Sequence, residues 1–392
     1  MNFFRRNVNL YYIIRFSSLL MFTWPVFTIF LFGNGLNMTE VMLLESIFSI
    51  MLITLQVPTG ALADIIGRKG CMTVGLSLTA IGSIFYGMGT NFWQFAFAEI
   101  LWGSGGAMIS GADIALLYDT LKQNKKSNLS TRIFGNAYFY MMCASVVSSL
   151  ASGLIIATLG MRWTWHFTTI AMASSAVLSL FLVEPKRMER KFNIRNYYNQ
   201  IIESIKFIIK NKRLSILTIN AALTGCIGTI GFWFYQPHMR ASGIPLELFG
   251  IVFAGFSICA ALSAKFAHNI EKRLDLRKIV WISPFLSAIA FIGLATFFSP
   301  IISIPMIFIL QFVRGFSGPT LTTLSNHVMP SEMRATINSI GGMISRTFFV
   351  ALGPLFGLLS DSISISFAIL MVALVASIQI PLFGIRPEKV RK

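Results

Sequence analysis

Charged residues are scarce in this chain. Asp, Glu, Lys and Arg make up 12% of its 392 residues, whereas a soluble domain carries roughly a quarter. Hydrophobic residues make up 55%, and a water-soluble core cannot bury so much apolar surface. The composition therefore excludes a soluble protein and predicts a chain that uses lipid as part of its solvent.

The sequence also lacks the motifs of catalysis, metal binding and nucleotide binding. Its four cysteines, Cys71, Cys143, Cys226 and Cys259, lie singly in different apolar segments, and we interpret them as small packing residues. No phosphate-binding G-x-x-x-x-G-K-[ST] loop, HExxH pair or nucleophile elbow occurs. The sequence therefore predicts no enzyme, no metal and no cofactor, and no ATPase to drive a pump.

Positive charge is abundant, with a formal net charge of +17. The basic residues lie between apolar runs and not on one solvated face, which argues against a nucleic-acid partner. They concentrate in alternate loops, and only Arg162 and Arg240 fall in the opposite loops. By the positive-inside rule, both termini are predicted to be cytoplasmic. The basic start leads into an apolar run without a small-residue cleavage site, so this run is interpreted as a retained first helix.

Long apolar stretches follow one another along the chain, each about the 20 residues that a helix needs to cross a bilayer. They lie near residues 9–32, 40–62, 70–89, 92–117, 134–158, 163–183, 214–235, 247–268, 279–298, 302–327, 335–358 and 363–384. The pattern predicts an all-α membrane protein with twelve transmembrane helices. It divides the chain into a six-helix bundle over 1–183, a connector over 184–213 and a second six-helix bundle over 214–392.

The connector carries apolar side chains at helical spacing. These are Tyr198, Ile201, Ile202, Ile205, Ile208 and Ile209. Lys206, Lys210 and Lys212 lie among them, as is typical of a basic amphipathic helix at the cytoplasmic interface. A tether between two bundles is the simpler interpretation of this helix, and a lipid-sensing role is the alternative.

The most specific motif lies between the second and third predicted spans, where residues 60–69 read GALADIIGRK. Glycines allow close helix approach and a tight turn, while acidic and basic side chains can pair at the membrane surface. This segment resembles the loop motif G-x-L-a-D-r-x-G-r-k of the major facilitator superfamily. The resemblance implies a gating loop formed by Gly60, Asp64, Gly67, Arg68 and Lys69. Asp119, at the inner end of the fourth span, is the predicted partner of Arg68.

The resemblance extends over essentially the whole chain. The segments 58–64, 110–119 and 330–336 are similar to those of bacterial major facilitators described as drug or metabolite exporters. The family implies two pseudo-symmetric six-helix bundles, a monomer, and a place in the bacterial inner membrane. Residues 99–105 also align with 311–317, which indicates two related halves with a substrate site between them near the bilayer midplane.

Two acidic residues in the predicted spans are candidates for proton coupling. A charged group in the hydrocarbon costs roughly 2.5–3.5 kcal/mol and needs a partner, a wet cavity or a function. A carboxyl group removed from water can bind and release a proton near neutral pH, which makes Glu99 the first candidate and Asp113 the second. An inter-helix hydrogen bond or a basic partner is the structural alternative for Glu99. Glu45, in contrast, is expected to reach the interface.

Three arginines in the predicted spans are candidates for binding an anionic part of a substrate. Arginine stays charged and presents a fork of donors suited to carboxylate or phosphate, which favours Arg314 and Arg346; a fixed salt bridge is the alternative. Arg15 lies towards the cytoplasmic end, as does Asp113, and the two are expected to form either a gate or a structural pair. Polar and aromatic side chains of the spans complete the substrate-binding candidates: Trp102, Tyr138, Asn220, Trp233, Tyr235 and Gln311.

Two functional hypotheses remain open from the sequence. The first is a proton-coupled antiporter that exports a small amphipathic, anionic or zwitterionic molecule by alternating access. The second is an uptake permease or facilitator for an organic anion or vitamin-like solute, because residues 137–158 lack the Gly–Pro element of the family's antiporters. A receptor or scaffold is disfavoured because the loops are too short to hold a signalling module. The predicted partners are therefore a small-molecule substrate, protons and lipid.

Overall fold

The computed structural model describes residues 3–185, 194–273, 276–330 and 332–382. All the regular structure in these ranges is helical: fourteen α-helices and the short 3-10 helix Ser127–Leu129. The α-helices are α1 Phe3–Ser18, α2 Phe27–Gly33, α3 Met38–Ile66, α4 Arg68–Met88, α5 Phe92–Gln123, α6 Ser130–Leu159, α7 Met161–Ser179, α8 Ile194–Lys210, α9 Lys212–Ala241, α10 Leu246–Arg273, α11 Leu276–Thr296, α12 Pro300–Asn326, α13 Arg334–Ser362 and α14 Ile365–Leu382.

Most of these helices have the length and composition of membrane spans. Eight helical segments of the described residues are long and apolar enough to cross a bilayer. Two shorter apolar stretches, Trp281–Thr296 and Ile365–Ile380, accompany them. The all-α membrane fold is thus confirmed, while the number of twelve transmembrane helices stays a prediction.

The first predicted span differs from the structure. The apolar run 9–32 was expected to form one helix, but α1 ends at Ser18 and α2 begins at Phe27. Pro25 lies in the break, where proline has no N–H to continue a helix. The hydroxyl of Thr168 accepts a hydrogen bond from the Phe22 N–H at 3.1 Å. The break is therefore compensated by a side chain of α7.

The chain divides into two compact units. Unit 1 comprises Met1–Leu36, Leu43–Phe192 and Leu246–Ala254. Unit 2 comprises Asn37–Met42, Asn193–Pro245 and Gly255–Lys392. The first residues of α3 and α10 are thus grouped with a different unit from the rest of their helices. The predicted bundles 1–183 and 214–392 remain a prediction.

In unit 1, α4 and α5 approach each other closely because glycines face one another. A Cβ atom on Gly75 would lie 2.8 Å from the carbonyl oxygen of Gly105. One on Gly105 would lie 2.5 Å from the carbonyl oxygen of Gly75. Small residues permit such helix contact in membranes, where apolar side chains gain little by leaving lipid. This contact fixes α5, the helix that carries Glu99 and Asp113.

In unit 2, the start of α3 is capped by a side chain of α13. The carboxylate of Asp361 accepts hydrogen bonds from the backbone N–H groups of Met38 at 3.1 Å and Thr39 at 2.7 Å. It also accepts one from the Thr39 hydroxyl at 2.5 Å. A carboxylate stabilises a helix N-terminus because the first N–H groups have no partner within the helix.

The predicted amphipathic helix of the connector is present as α8. Ile208 is buried in a cluster with Leu214, Met329, Ile337 and Ile340. Ile202, Ile205 and Ile209 are exposed beside Lys206 and Lys210. The side chain of Tyr198 and residues 186–193 lie outside the described part of the chain. One apolar face of α8 thus packs on unit 2, and its role as tether or lipid sensor stays a prediction.

Candidate functional site

Glu99 lies on α5 in the interior of unit 1. Its residue is 1% exposed, and its Oε1 atom accepts a hydrogen bond from the hydroxyl of Tyr86 on α4. Among the described residues, none with a basic side chain lies within ion-pair distance of Glu99. The sequence left open either an inter-helix hydrogen bond or a basic partner for Glu99, and the structure shows the hydrogen bond.

Aromatic rings enclose this hydrogen bond. The rings of Tyr86 and Trp165 stack with a centroid distance of 4.2 Å and an interplanar angle of 3°. Phe27 lies 5.4 Å from both rings, and Phe95 stacks on Tyr86 at 5.4 Å. Trp102 lies 5.5 Å from Tyr86. We call Glu99 and these five aromatic residues the Glu99 cluster: Phe27, Tyr86, Phe95, Glu99, Trp102 and Trp165.

Trp102 is held in the cluster through its indole N–H. This group donates to the carbonyl oxygen of Thr79 at 2.8 Å and contacts the Ser83 hydroxyl oxygen at 3.1 Å. Trp102 is buried, so in this structure it packs within unit 1. Its predicted part in substrate binding remains untested.

A second carboxyl group belongs to the same neighbourhood. Glu45 on α3 interacts electrostatically with Tyr86 and is 9% exposed. Glu45 is therefore buried among protein neighbours, and its expected position at the membrane interface stays a prediction. Sequence reasoning also missed Tyr86 as the partner of Glu99 and Trp165 as the ring stacked on Tyr86, because these residues lie on three different helices.

Arg15 and Asp113 form an ion pair elsewhere in unit 1. The Arg15 Nη1 atom lies 3.3 Å from Asp113 Oδ2, and the two side chains are 18% and 8% exposed. Arg15 Nη2 also donates to the thioether sulfur of Met141 at 3.2 Å. The pairing that sequence reasoning allowed is confirmed, and we call these two residues the Arg15–Asp113 pair.

Two tyrosines lie close in the chain to residues that contact the Arg15–Asp113 pair. Tyr12, one helical turn before Arg15, packs its ring 5.2 Å from the ring of Tyr140 on α6. Tyr140 is 41% exposed, and the next residue, Met141, contacts Arg15 directly. Tyr138, predicted as a substrate-binding residue, is also exposed on α6. The part of α6 that contacts Arg15 therefore carries exposed aromatic rings.

The predicted gating loop brings together the charges that its motif implies. Arg68 forms an ion pair with Asp119 and donates to the carbonyl oxygen of Ala115 at 2.6 Å. The carboxylate of Glu184 accepts hydrogen bonds from the backbone N–H groups of Arg68 at 2.9 Å and Lys69 at 2.8 Å. Sequence reasoning missed Glu184, although an acidic residue just beyond a predicted span is a possible cap for a neighbouring helix.

The two glycines of this loop lie in different backbone environments. Gly67, between α3 and α4, has a φ of 92°, a backbone conformation that glycine adopts at little cost. Gly60 lies within α3, where a Cβ would have no neighbour within 4 Å. The side chain of Asp64 lies outside the described residues. The loop's gating role is therefore a prediction that rests on the contacts of Arg68.

The candidates of unit 2 differ in exposure. Arg314 and Arg346 are exposed, and the Arg314 guanidinium lies 5.8 Å from the centroid of the Phe232 ring. The other four candidates are buried within unit 2: Asn220, Trp233, Tyr235 and Gln311. The arginines are therefore the more exposed of the unit 2 candidates.

The aromatic run 232–235 lies inside a helix. The run lies near the end of the seventh predicted span, and α9 continues past it to Ala241. Trp233, Phe234 and Tyr235 are buried. Pro237 is accommodated within this helix, and a part for the run in an interfacial belt or in substrate binding stays a prediction.

A buried polar cluster near the end of α9 was also missed. His238 Nε2 lies 2.9 Å from the Ser303 hydroxyl and 3.3 Å from that of Ser242. The sequence offered no signal for it, because Ser303 belongs to the distant α12.

The described residues contain no group of three or more His, Cys, Asp and Glu side chains that could hold a metal ion.

Known proteins share both the sequence and the fold of this chain. The sequence profile described as Major Facilitator Superfamily matches residues 11–354. The uncharacterized MFS-type transporter YxaM of Bacillus subtilis (strain 168) is 21% identical over 387 residues, which cover 93% of this chain and 91% of YxaM.

Two solved structures share the fold. The nucleoside transporter NupG has a TM-score of 0.81 at 14% identity and covers 99% of this chain and 100% of its own. A bacterial homologue of the human lysosomal transporter Spinster, in an inward-facing and unoccupied conformation, has a TM-score of 0.77 at 15% identity, with 97% of this chain and 95% of its own covered. At these identities the likeness is one of fold.

Proposed function

Because the chain belongs to the major facilitator superfamily, and is thus a secondary transporter and an integral membrane protein, we propose that it exports a small amphipathic anion or zwitterion in exchange for protons. Glu99 is the proposed proton carrier. The observation that carries this proposal is the enclosed Glu99 carboxyl group, hydrogen-bonded to Tyr86 without a basic partner among the described residues.

The enclosure argues for a group that is neutral in this conformation. A lone carboxylate away from water costs several kcal/mol unless it is paired, and the Glu99 cluster supplies one hydroxyl and several rings. A protonated carboxyl avoids that cost. Opening the cluster to water in another conformation would remove the cost and release the proton, which is the behaviour that coupling requires.

The proposed substrate charge rests on the exposed or partly exposed arginines. Arg314 and Arg346 are exposed and the side chain of Arg15 is 18% exposed, so their guanidinium groups are accessible to an anionic group. The protein is proposed to work by alternating access as a monomer in the bacterial inner membrane, with both termini cytoplasmic and with the loop around Arg68 and Asp119 as its cytoplasmic gate.

Inside-out vesicles with an imposed pH gradient and a pH-reporting dye test this function. Organic anions, zwitterions and cations are added in turn to wild type, Glu99→Gln and the control Glu247→Gln, which changes an exposed glutamate of α10. Proton release that depends on anions or zwitterions and is lost only in Glu99→Gln is the expected result. Normal proton-driven transport in Glu99→Gln would exclude Glu99 as the carrier.

The second candidate function is uptake of an organic anion. It is favoured by α6, which lacks the Gly–Pro element that the resemblance leads us to expect in an antiporter. Right-side-out vesicles distinguish the two directions. If a radiolabelled anion accumulates inside them under an inward proton gradient, the function is uptake and not export.

A further inference from the structure

The Arg15–Asp113 pair carries more hydrogen-bonding capacity than its neighbours use. We propose that it is an exchange site for an organic carboxylate. The carboxylate of the ligand replaces Asp113 on the Arg15 guanidinium, and Asp113 takes up one proton. This inference rests on the second candidate function, uptake of an organic anion driven by an inward proton gradient, because at this site the anion and the proton bind together.

The Arg15 guanidinium is incompletely satisfied. Of its five N–H donors, those on Nη1 face Asp113 Oδ2 at 3.3 Å, longer than the ~2.7–2.9 Å of a strong charge-assisted bond. Nη2 donates to the sulfur of Met141 at 3.2 Å, and a thioether is a weak acceptor. Nε is buried without a hydrogen-bond partner among the described residues. A planar carboxylate could satisfy two of these donors at once.

The exchange conserves charge. Before it, the site holds the guanidinium cation and the Asp113 carboxylate; afterwards it holds the guanidinium, the ligand carboxylate and a protonated Asp113. One anion and one proton enter together, so the site stays neutral. Neutrality favours this route, because an additional uncompensated charge within the membrane is costly.

The rings beside the pair fit an amphipathic ligand. Arg15 and Met141 contact each other. Tyr12 lies one helical turn before Arg15, and Tyr140 is the residue before Met141. The contact between the two tyrosine rings is tilted, at 43°, and Tyr140 is 41% exposed. An apolar or aromatic body can pack on such a surface while its carboxylate binds Arg15.

Few groups of the described residues compete with Asp113 for the proton. Arg15 and Tyr11, both on α1, interact electrostatically with Asp113. On α6, the side chain that contacts the guanidinium is the uncharged Met141. The charged Arg68 of α4 is paired with Asp119, which follows Asp113 further along α5. Proton uptake on exchange is therefore assigned to Asp113.

Calorimetric titration of the purified protein in detergent with benzoate tests the exchange. In wild type, benzoate should bind with uptake of about one proton, and its affinity should rise about tenfold for each unit of pH lowered between 8 and 6. Repeating the titration in buffers of different ionisation enthalpy counts the protons. In Asp113→Asn, binding should be tighter at pH 8, independent of pH and without proton uptake. In Arg15→Gln it should be lost.

Two further variants keep the result interpretable if a single change destabilises the fold. The double variant Arg15→Gln, Asp113→Asn removes both charges, so it should fold and should not bind benzoate. Arg15→Lys keeps the positive charge but loses the fork, so it should bind benzoate more weakly than wild type. Benzyl alcohol, which has the ring without the carboxylate, should bind no variant differently from wild type.

Equal benzoate affinity in wild type and Arg15→Gln would overturn the inference. So would the absence of benzoate binding in folded Asp113→Asn, or binding to wild type without proton uptake. These measurements are made at equilibrium and need no transport. If vesicles show proton-coupled flux but the purified protein does not bind benzoate, only the exchange site is rejected. If benzoate binds with proton uptake but vesicles show no flux, only the proposed transport is rejected.

Discussion

Glu99 and Asp113 share one helix but have opposite surroundings. At ~1.5 Å of rise per residue they lie about 21 Å apart along α5. The Glu99 cluster encloses its carboxyl group with rings and one hydroxyl. Asp113 is also buried, but it faces the Arg15 guanidinium at 3.3 Å, and the Arg15 side chain is 18% exposed.

The difference shows how one helix can serve two tasks. A proton carrier must be shielded from competing ions, so its neighbours need to be bulky, apolar and mutually satisfied. An exchange site must leave part of its bonding capacity unused, because a fully satisfied guanidinium has nothing to offer a ligand. Changes in the Glu99 cluster should therefore affect stability most, and changes around the Arg15–Asp113 pair should affect binding most.

The largest effect is expected for Trp165→Ala. Trp165 is 0% exposed and contacts four other rings of the cluster or its border, so removing it leaves a large cavity. We expect the free energy of unfolding in detergent to fall by about 3–5 kcal/mol. Thermal unfolding followed by size-exclusion chromatography measures the change. The control Trp163→Ala, two residues earlier and 47% exposed, should change much less; equal losses would show that the cluster is not the stable part of unit 1.

A smaller loss is expected for Gly82→Ala on α4. The added Cβ would lie 2.5 Å from Cδ1 of Trp102 and 3.0 Å from the carbonyl oxygen of Ala98. Overpacking of this kind costs about 1–3 kcal/mol, measured by the same unfolding experiment. Gly135→Ala is the control, because a Cβ there has no neighbour within 4 Å and should stabilise α6 by up to ~1 kcal/mol. A destabilised Gly135→Ala would contradict the interpretation.

Tyr86→Phe removes only the hydroxyl that donates to Glu99. The ring stacking remains, so we expect a loss of roughly 1 kcal/mol in the free energy of unfolding, together with a shift in the pH dependence of transport. The pH profile of flux in vesicles measures the second effect. Tyr118→Phe, the same change at an exposed tyrosine of α5, should leave both quantities near wild type. An unaltered pH profile of transport in Tyr86→Phe would show that Tyr86 takes no part in proton coupling.

The sequence was sufficient for the fold class, because apolar runs of spanning length admit few structures in lipid. It was also sufficient for the pairing of Arg68 with Asp119, because the loop motif identified Arg68 and the inner end of the fourth span supplied an acidic partner. It did not predict the break before α2, which depends on Thr168 accepting the Phe22 N–H. Local sequence cannot reveal a partner supplied by another helix.

The same limit applies to the sites. The pattern identified Glu99 and Asp113 as costly groups in a membrane, but their chemistry is set by Tyr86 on α4 and by Arg15 on α1. Burial of Glu45 was missed for the same reason, because its position near one end of an apolar run predicted an interface. Depth along a helix can be predicted from a sequence, whereas the direction of a side chain within a bundle depends on its neighbours.

The smallest effect on stability, and a measurable one on binding, is expected for Tyr140→Ala beside the Arg15–Asp113 pair. Its ring is partly exposed and contacts Tyr12 at 5.2 Å, so the free energy of unfolding should fall by less than about 1 kcal/mol. If the ring packs on the ligand, benzoate affinity should fall about two- to tenfold while proton uptake per benzoate stays unchanged, because Asp113 is intact. Phe139→Ala, the same truncation at an adjacent exposed ring, controls for loss of aromatic surface. Equal affinity in wild type and Tyr140→Ala would confine recognition to the guanidinium, whereas loss of proton uptake would mean that Tyr140 takes part in the exchange itself.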